Sequence, residues 1–259
     1  MNSLFTLSMK AHLLIGASII LTVLSSSGQE ISTDVHRIQL GMNVSTDYCY
    51  RTLVNAGDNS TYVDIIDYRD RLEEARFGYS TGINFTYNLN SRWGVEAGTQ
   101  YSYKSIQYEI SGLTFGDPVD PRYGFVYDPN AVAVPEKFID NYYYLEFPVR
   151  AIYSMGKKRM RFLASLGIMP GVLLKSTHIM EGKNQAGDKS SSSYDQTDDF
   201  EKFALSPIIS IGAEYAISKK LILRAEPTFR YGLLTIIDAP VSAHLWNAGL
   251  NFSICYAIK

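Results

Sequence analysis

Residues 246–258 read WNAGLNFSICYAI, and this stretch decides the fold because apolar residues alternate in it with small or polar ones. Successive side chains of a β-strand point to opposite faces, so the alternation predicts a strand with one apolar face and one face of small or polar residues. The apolar face comprises Trp246, Ala248, Leu250, Phe252, Ile254, Tyr256 and Ile258. The small or polar face comprises Asn247, Gly249, Asn251, Ser253, Cys255 and Ala257.

Seven further segments alternate in the same way, which gives eight predicted strands. The seven are residues 38–50, 77–89, 93–104, 143–153, 162–174, 203–215 and 221–231. Tight turns and long polar connections alternate between the strands; the turns are 88–92, 156–159 and 218–220, and the connections are 52–75, 112–138, 177–200 and a shorter one at 235–242. Short turns on one rim and long loops on the other predict an all-β fold, an eight-stranded antiparallel up-and-down transmembrane β-barrel with both termini on the periplasmic side.

Four prolines fall inside the predicted strands, and we expect β-bulges there because proline cannot donate a hydrogen bond to its neighbour strand. They are Pro148, Pro170, Pro207 and Pro227.

The bulky residues are predicted to face outward, toward lipid. Eight strands of large side chains cannot fit inside a small barrel, so the large apolar face must lie outside. Aromatic residues near both strand ends predict two belts at the membrane interfaces. The belts comprise Tyr87, Trp93, Tyr153, Tyr215 and Tyr256 at the short-turn ends, with Tyr101, Tyr103 and Trp246 at the long-loop ends. A two-sheet sandwich packed on the aromatic face is the alternative architecture.

The composition is compatible with an exported barrel. Of 259 residues, 46% are hydrophobic. The chain has 24 basic and 26 acidic residues, so it lacks the excess of positive charge that indicates nucleic-acid binding. An apolar run at 11–24 followed by small residues predicts a signal peptide at 1–28 and a barrel domain at 29–259; a membrane anchor is the alternative. Cys49 and Cys255 are predicted to lie too far apart along their strands to form a disulfide.

The small or polar faces of four other strands, which are predicted to face inward, carry four acidic and four basic residues. Charges inside a narrow barrel must pair or stay hydrated, so the balance predicts a salt-bridged plug that fills the lumen, with a narrow solute or ion channel as the alternative. The predicted lumen network comprises Glu96, Lys104, Glu146, Arg150, Glu214, Arg224, Glu226 and Arg230. No residue spacing predicts a metal ion or another cofactor.

An enzyme would need a nucleophile, a base and a substrate cleft. His178 and His244 fall near the long-loop rim, and Asp238 and Ser242 stand near His244 in the sequence. No spacing joins these residues into a triad, so no catalytic residue is predicted; a rim-site hydrolase or acyltransferase is a further alternative.

The long connections are the remaining candidates for function. Residues 63–76 predict a short surface helix, and the serine run at 190–193 predicts a disordered hydrophilic tip. The proline-rich connection at 112–138 contains several aromatic residues, which suit either a docking surface for a partner or a self-packed lid.

Three motifs resemble those of the PorT-like outer-membrane β-barrels, over most of the chain after residue 28. They are Tyr144-Leu145-Glu146-Phe147-Pro148-Val149-Arg150, Ala225-Glu226-Pro227 with Arg230-Tyr231-Gly232-Leu233, and Gly249-Leu250-Asn251-Phe252. The resemblance implies an eight-stranded barrel in a Gram-negative outer membrane, in contact with lipid. It also implies partners in an envelope or secretion complex, since the founding members assist a protein secretion system.

Overall fold

The computed structural model describes residues 37–55, 61–110, 136–156, 159–183 and 189–258. The predicted signal peptide and residues 112–135 of the proline-rich connection lie outside these ranges. Ten strands lie within them: β1 (Ile38–Asn55), β2 (Glu73–Asn88), β3 (Trp93–Ile110), β4 (Glu136–Glu146), β5 (Val149–Met155), β6 (Met160–Lys183), β7 (Lys189–Asp195), β8 (Phe203–Ala216), β9 (Leu221–Tyr231) and β10 (Val241–Ile258).

The strands close into an eight-membered antiparallel ring, which confirms the predicted barrel. The order is β2-β1-β10-β9-β8-β6, after which β4 and β5 together occupy one position between β6 and β3, and β3 returns to β2. The closing seam is long, because β1 and β10 pair from Ile38 with Ile258 to Asn55 with Val241. Within this seam Cys49 pairs with Asn247 and Cys255 with Gly41, and both cysteines are free, as predicted.

The described helix, α1 (Thr61–Leu72), joins β1 to β2 at the long-loop rim. It confirms the predicted surface helix, although it ends at Leu72 rather than near residue 76. No helix in the described ranges has the length and apolar character needed to cross a membrane.

The predicted disordered tip at 190–193 is wrong. Strand β7 includes this serine run and pairs with the outer part of β6, for example Ser192 with Met180. Strand β6 continues well beyond the predicted end at residue 174 and so offers an unpaired backbone edge. Backbone hydrogen bonding along that edge orders a segment whose side chains supply no apolar core.

The predicted β-bulges do not form at any of the four prolines. Pro148 interrupts the predicted strand 143–153 and separates β4 from β5. The other three, Pro170, Pro207 and Pro227, pair in register with a neighbouring strand. Register shifts occur instead near Ala75 and Tyr143. Proline carbonyls still accept hydrogen bonds: Phe147 N–H donates to Pro170 at 2.8 Å and Gly98 N–H to Pro148 at 3.0 Å, so each lost donor is a local defect.

The tight turns are held by side-chain caps. The Asn90 side-chain oxygen accepts the backbone N–H groups of Arg92 and Trp93 at 2.8 and 2.9 Å. The Ser218 hydroxyl accepts those of Lys220 and Leu221 at 3.2 and 3.1 Å. Such local bonds favour Asn and Ser in turns.

The alternation of exposure matches the alternation of the sequence. On β1, Met42 is 70% exposed while Asp47 is completely buried. The apolar residues therefore face outward along the barrel wall, and the small, polar and charged residues meet inside it.

Candidate functional site

The centre of the lumen is a charged cluster around Arg150. Its guanidinium donates to Glu96 at 2.7 Å and to both carboxylate oxygens of Glu226 at 3.0 and 2.9 Å. The hydroxyls of Ser165 and Ser210 accept further bonds from it at 3.2 and 3.3 Å. All five side chains are buried, so the bidentate pairing offsets a desolvation cost of several kcal/mol per ion.

A second arginine extends this cluster toward the short-turn rim. Arg224 donates to Glu96 at 2.6 Å and lies 3.5 Å from Glu214. Glu214 also forms an ion pair with Arg161, which enters from the next strand. Glu96 thus lies between two arginines, and charge alternates through the cluster.

An ion pair between Lys104 and Glu146 forms a separate polar layer nearer the long loops. The Lys104 ammonium lies 2.7 Å from Glu146, which also accepts a bond from the Gln100 amide at 2.9 Å. The same ammonium lies 4.9 Å from the centre of the Tyr144 ring, a distance suited to a cation–π contact.

The last of the predicted bases, Arg230, pairs with a residue outside the predicted network. It donates to Asp47 at 2.9 Å, and Asp47 also accepts from Ser45 at 2.7 Å and Ser80 at 3.0 Å. Asp47 is one of the alternate residues of β1 that face inward. This alternation was the signal by which it could have been found. The predicted eight residues and Asp47 are all buried inside the barrel.

A small polar cavity lies between these clusters. Asn43, Asn84, Gln100, Arg150 and Thr228 are among its lining residues. Its volume is about 20 Å³, which is room for about one water molecule and far too little for an aqueous pore.

An apolar cluster lies inside the barrel on the long-loop side of these charges, and the sequence did not predict it. It comprises Leu53, Ile106, Tyr142, Tyr144, Leu173, Ile236, Ala243 and Leu245, with Ile66 of α1 packed against it. Several of these residues lie past the predicted strand ends, where the parity of the sequence changes. We call this set the apolar cap.

Charged residues fasten α1 over the apolar cap. Arg51, buried on β1, bonds to Glu73 and to Asp70, the latter at 3.0 Å. Arg69 of the helix also bonds to Glu73, at 2.6 Å. The apolar side chains Val63, Ile65 and Tyr68 of α1 are exposed.

The rim residues considered for catalysis are not brought together. His178 Nδ1 lies 2.7 Å from Asp140, whereas His244 Nδ1 lies 2.9 Å from the Gly232 carbonyl. Ser242 is buried, with its hydroxyl directed to the Val54 carbonyl at 3.5 Å.

The His178 ring lies in an aromatic stack, 5.7 Å from the Phe138 ring and 6.4 Å from Tyr108. Its hydrogen bond with Asp140 raises the pKa of His178 above the ordinary value of 6.5. Burial raises the pKa of Tyr108 to about 12, so its hydroxyl stays protonated and is a poor nucleophile at neutral pH. In the described part of the chain, no group of three His, Cys, Asp or Glu side chains is placed to hold a metal ion.

The predicted belt residues stand on the outer surface near the strand ends. At the short turns, Trp93 packs against Tyr153 with ring centres 4.8 Å apart. At the opposite ends, Tyr103 contacts Tyr79 at 5.4 Å and Tyr143 at 5.3 Å, which builds a tyrosine ladder across three strands. Trp246 joins a similar cluster with Tyr48 and Tyr50.

Comparisons with known proteins agree with this architecture. A family model described as outer membrane protein beta-barrel domain matches residues 26–238. Neisserial surface protein A is 11% identical, with 85% of this chain and 97% of that chain covered and a TM-score of 0.40. OprG from Pseudomonas aeruginosa is 13% identical, with 88% and 100% covered and a TM-score of 0.42. The protease OmpT from Escherichia coli is 8% identical, with 90% and 99% covered and a TM-score of 0.40.

Sequence identities of 8–13% and TM-scores of 0.40–0.42 do not indicate a function for this chain. No curated protein matches the sequence.

Proposed function

Because the chain belongs to the outer membrane protein β-barrel domain family, we propose that it is a closed, non-enzymatic barrel that anchors or assists an envelope complex through its extracellular loops. The membership makes it an outer-membrane protein in contact with lipid. The anchoring role, the closed lumen and the orientation are parts of the proposal.

The observation that carries the proposal is the packing and ion pairing of side chains inside the barrel. Paired charges occupy the middle of the barrel, and the apolar cap lies above them under α1. An open path would require Arg150 to leave two carboxylates or the apolar cap to separate, and each change exposes groups that are stable only when packed or paired. A protein whose interior is filled in this way acts through its surface.

The spacing of the aromatic belts supports the membrane position. Ten residues separate Trp93 from Tyr103 on β3, and ten separate Trp246 from Tyr256 on β10. At the usual strand rise and tilt this span is about 25 Å, the height of the apolar band of an outer-membrane barrel. We propose that the two groups of rings lie at the two interfaces, with the short turns and both ends of the barrel in the periplasm. Residues 1–28 are then a leader, and the barrel domain starts at residue 29.

We propose that α1 takes part in docking. Its side chains Val63, Ile65 and Tyr68 are apolar and exposed at the long-loop rim, beyond the aromatic belts. The resemblance to the PorT-like barrels makes a secretion complex the proposed partner. No catalytic role is proposed, because no described hydrogen bond joins His178 or His244 to a nucleophile.

Planar-bilayer recording tests the closed lumen. The wild-type barrel is expected to be silent, and a variant with Tyr144→Ala, Leu173→Ala and Arg150→Ala is expected to conduct. A matched exterior variant, Phe85→Ala with Ile209→Ala, should stay silent because both side chains face outward. Steady unitary currents from the wild type would refute the proposal and favour the narrow channel.

Co-purification tests the docking role. A defined envelope complex should be retained by the wild type and lost when Val63, Ile65 and Tyr68 are replaced with serine. Replacing Asp64 and Asp67 on the same helix with serine provides the control for surface change without loss of apolar contact. Equal retention by both variants would contradict docking through α1.

A further inference from the structure

The short-turn rim carries basic residues in a regular arrangement that the proposed function does not use. Four strands leave this rim toward the long loops, namely β1, β3, β6 and β9, and each is preceded directly by a base. These four bases, which we call the basic ring, are Arg37, Arg92, Arg159 and Lys220. They stand at every second strand around the barrel.

The backbone fixes each member of the basic ring. Each carbonyl accepts a hydrogen bond from the adjacent strand across the end of the ladder, at 2.7 to 2.8 Å; the donors are the N–H groups of Asn88, Ser154, Ala216 and Ala257. Arg92 and Lys220 are held further, since the side-chain oxygen two residues earlier accepts their own N–H. The backbone positions of the four basic residues therefore follow from the closure of the barrel.

Among the described residues, the basic ring has no acidic counterpart at its own rim. Arg37, Arg92 and Lys220 are exposed and Arg159 is half-buried, and none of the four lies within ion-pair distance of a described carboxylate. For each member, the described acids nearest in sequence are buried and paired inside the lumen; these acids are Asp47, Glu96, Glu146, Glu214 and Glu226. Arg161, two residues further along β6, shows the contrast because it pairs with Glu214.

The basic ring lies at the level of the short-turn aromatic belt. Arg92 precedes Trp93 directly, and the Lys220 ammonium lies 5.8 Å from the centre of the outward-facing Tyr256 ring. Long basic side chains beside interfacial aromatic rings reach the headgroup region of a membrane.

The spacing of the charges excludes one small anion as the ligand. Strand spacing and tilt put neighbouring members about 12 Å apart, which exceeds the screening length of about 8 Å at physiological salt. Four separated charges around a circumference suit a layer of separate anionic groups.

We propose that the basic ring binds the headgroups of anionic phospholipids in the leaflet next to the short turns. The phosphate of each headgroup accepts charge-assisted hydrogen bonds from one ring member, while the adjacent ring of Trp93 or Tyr256 packs against the lipid. The inference deepens the proposed orientation, in which that leaflet is the periplasmic one.

Spin-labelled lipids test this directly. The full-length protein is refolded into phosphatidylcholine vesicles, and the association of labelled phosphatidylglycerol is compared with that of labelled phosphatidylcholine. The wild type is expected to prefer phosphatidylglycerol about fivefold at ring sites, with the preference falling as salt is added. A variant with Arg37→Gln, Arg92→Gln, Arg159→Gln and Lys220→Gln is expected to lose most of it.

Two further variants keep the experiment decisive. The control removes the same charge from the long-loop rim, with Arg71→Gln, Lys137→Gln, Lys175→Gln and Lys202→Gln, and should keep the preference. A charge-preserving variant of the basic ring, with the three arginines changed to lysine and Lys220→Arg, should also keep the preference. It separates loss of charge from disturbance of the fold as the cause of an effect in the glutamine variant. Heat-modifiable migration reports whether each variant has folded.

Several results would overturn the proposal. These are a wild type without preference for phosphatidylglycerol, a glutamine ring variant that keeps the preference, or a control that loses it equally. Binding of a polyglutamate peptide by the ring without any lipid preference would assign the surface to an acidic protein instead. Because both leaflets of the vesicle contain labelled lipid, the basic ring contacts labelled lipid whichever way the barrel inserts. The measured lipid preference is therefore independent of the conductance and co-purification tests.

Discussion

Replacing Arg150 with methionine tests whether paired charges hold the barrel interior together. Arg150 bonds to Glu96 and, in bidentate fashion, to Glu226. After the substitution Glu96 keeps Arg224 at 2.6 Å, whereas the bonded partner that remains to Glu226 is the neutral hydroxyl of Ser210 at 2.8 Å. One fully buried carboxylate thus loses its bonded charge partner, which is expected to lower the free energy of unfolding by about 3–5 kcal/mol.

The measurement is urea unfolding of the protein in phosphatidylcholine vesicles, followed by heat-modifiable migration. Adding Glu226→Gln to Arg150→Met removes the stranded charge and should recover a large part of the lost free energy. Lys175→Met is the matched control, because it breaks an exposed pair with Asp195 at 3.8 Å and should cost at most about 1 kcal/mol. If Arg150→Met costs no more than this control, or if the double variant is no more stable than the single one, the lumen charges are hydrated and the reasoning fails.

Two further predictions concern the lumen wall and the outer rim. A Cβ at Gly249 would collide with the Asp47 carboxylate, so Gly249→Ala should lower the free energy of unfolding by about 1–3 kcal/mol, and an unchanged urea midpoint would contradict this. The bond to Asp140 raises the pKa of His178, so its contribution to stability is complete below pH 6.5 and is lost as pH rises through the raised pKa. An NMR titration should therefore find the pKa of His178 lower in Asp140→Asn, with His244 as internal reference; an unmoved His178 titration would show that the bond is absent in solution.

Much of the barrel wall could be predicted because a strand repeats every two residues. The alternation from Trp246 to Ile258 specifies which side chains face out and which face in, whatever the partner strands are. The same rule places Arg150 and Glu226 inside. The turn residues Asn90 and Ser218 also act locally, so the sequence located the rim where the short turns lie.

The limits of prediction lie where distant segments meet. Pro170 and Pro207 carry the same local signal as Pro148, yet only Pro148 interrupts a strand, because the cost of a missing donor depends on how the neighbouring strands hold the chain. The serine run in β7 is ordered by the edge of β6, a partner that its own composition does not reveal.

By itself, the sequence determined the eight strands of the barrel wall, the face that meets lipid and the inward charges. Only the tertiary structure decided that Arg230 pairs with Asp47 across 183 residues, and that Arg150 rather than another base pairs with Glu226. It also decided that the apolar cap forms from residues of several strands and packs against Ile66 of α1. The physical reason is that parity is a property of one strand, whereas ion pairing and closure depend on the register of several strands around the ring.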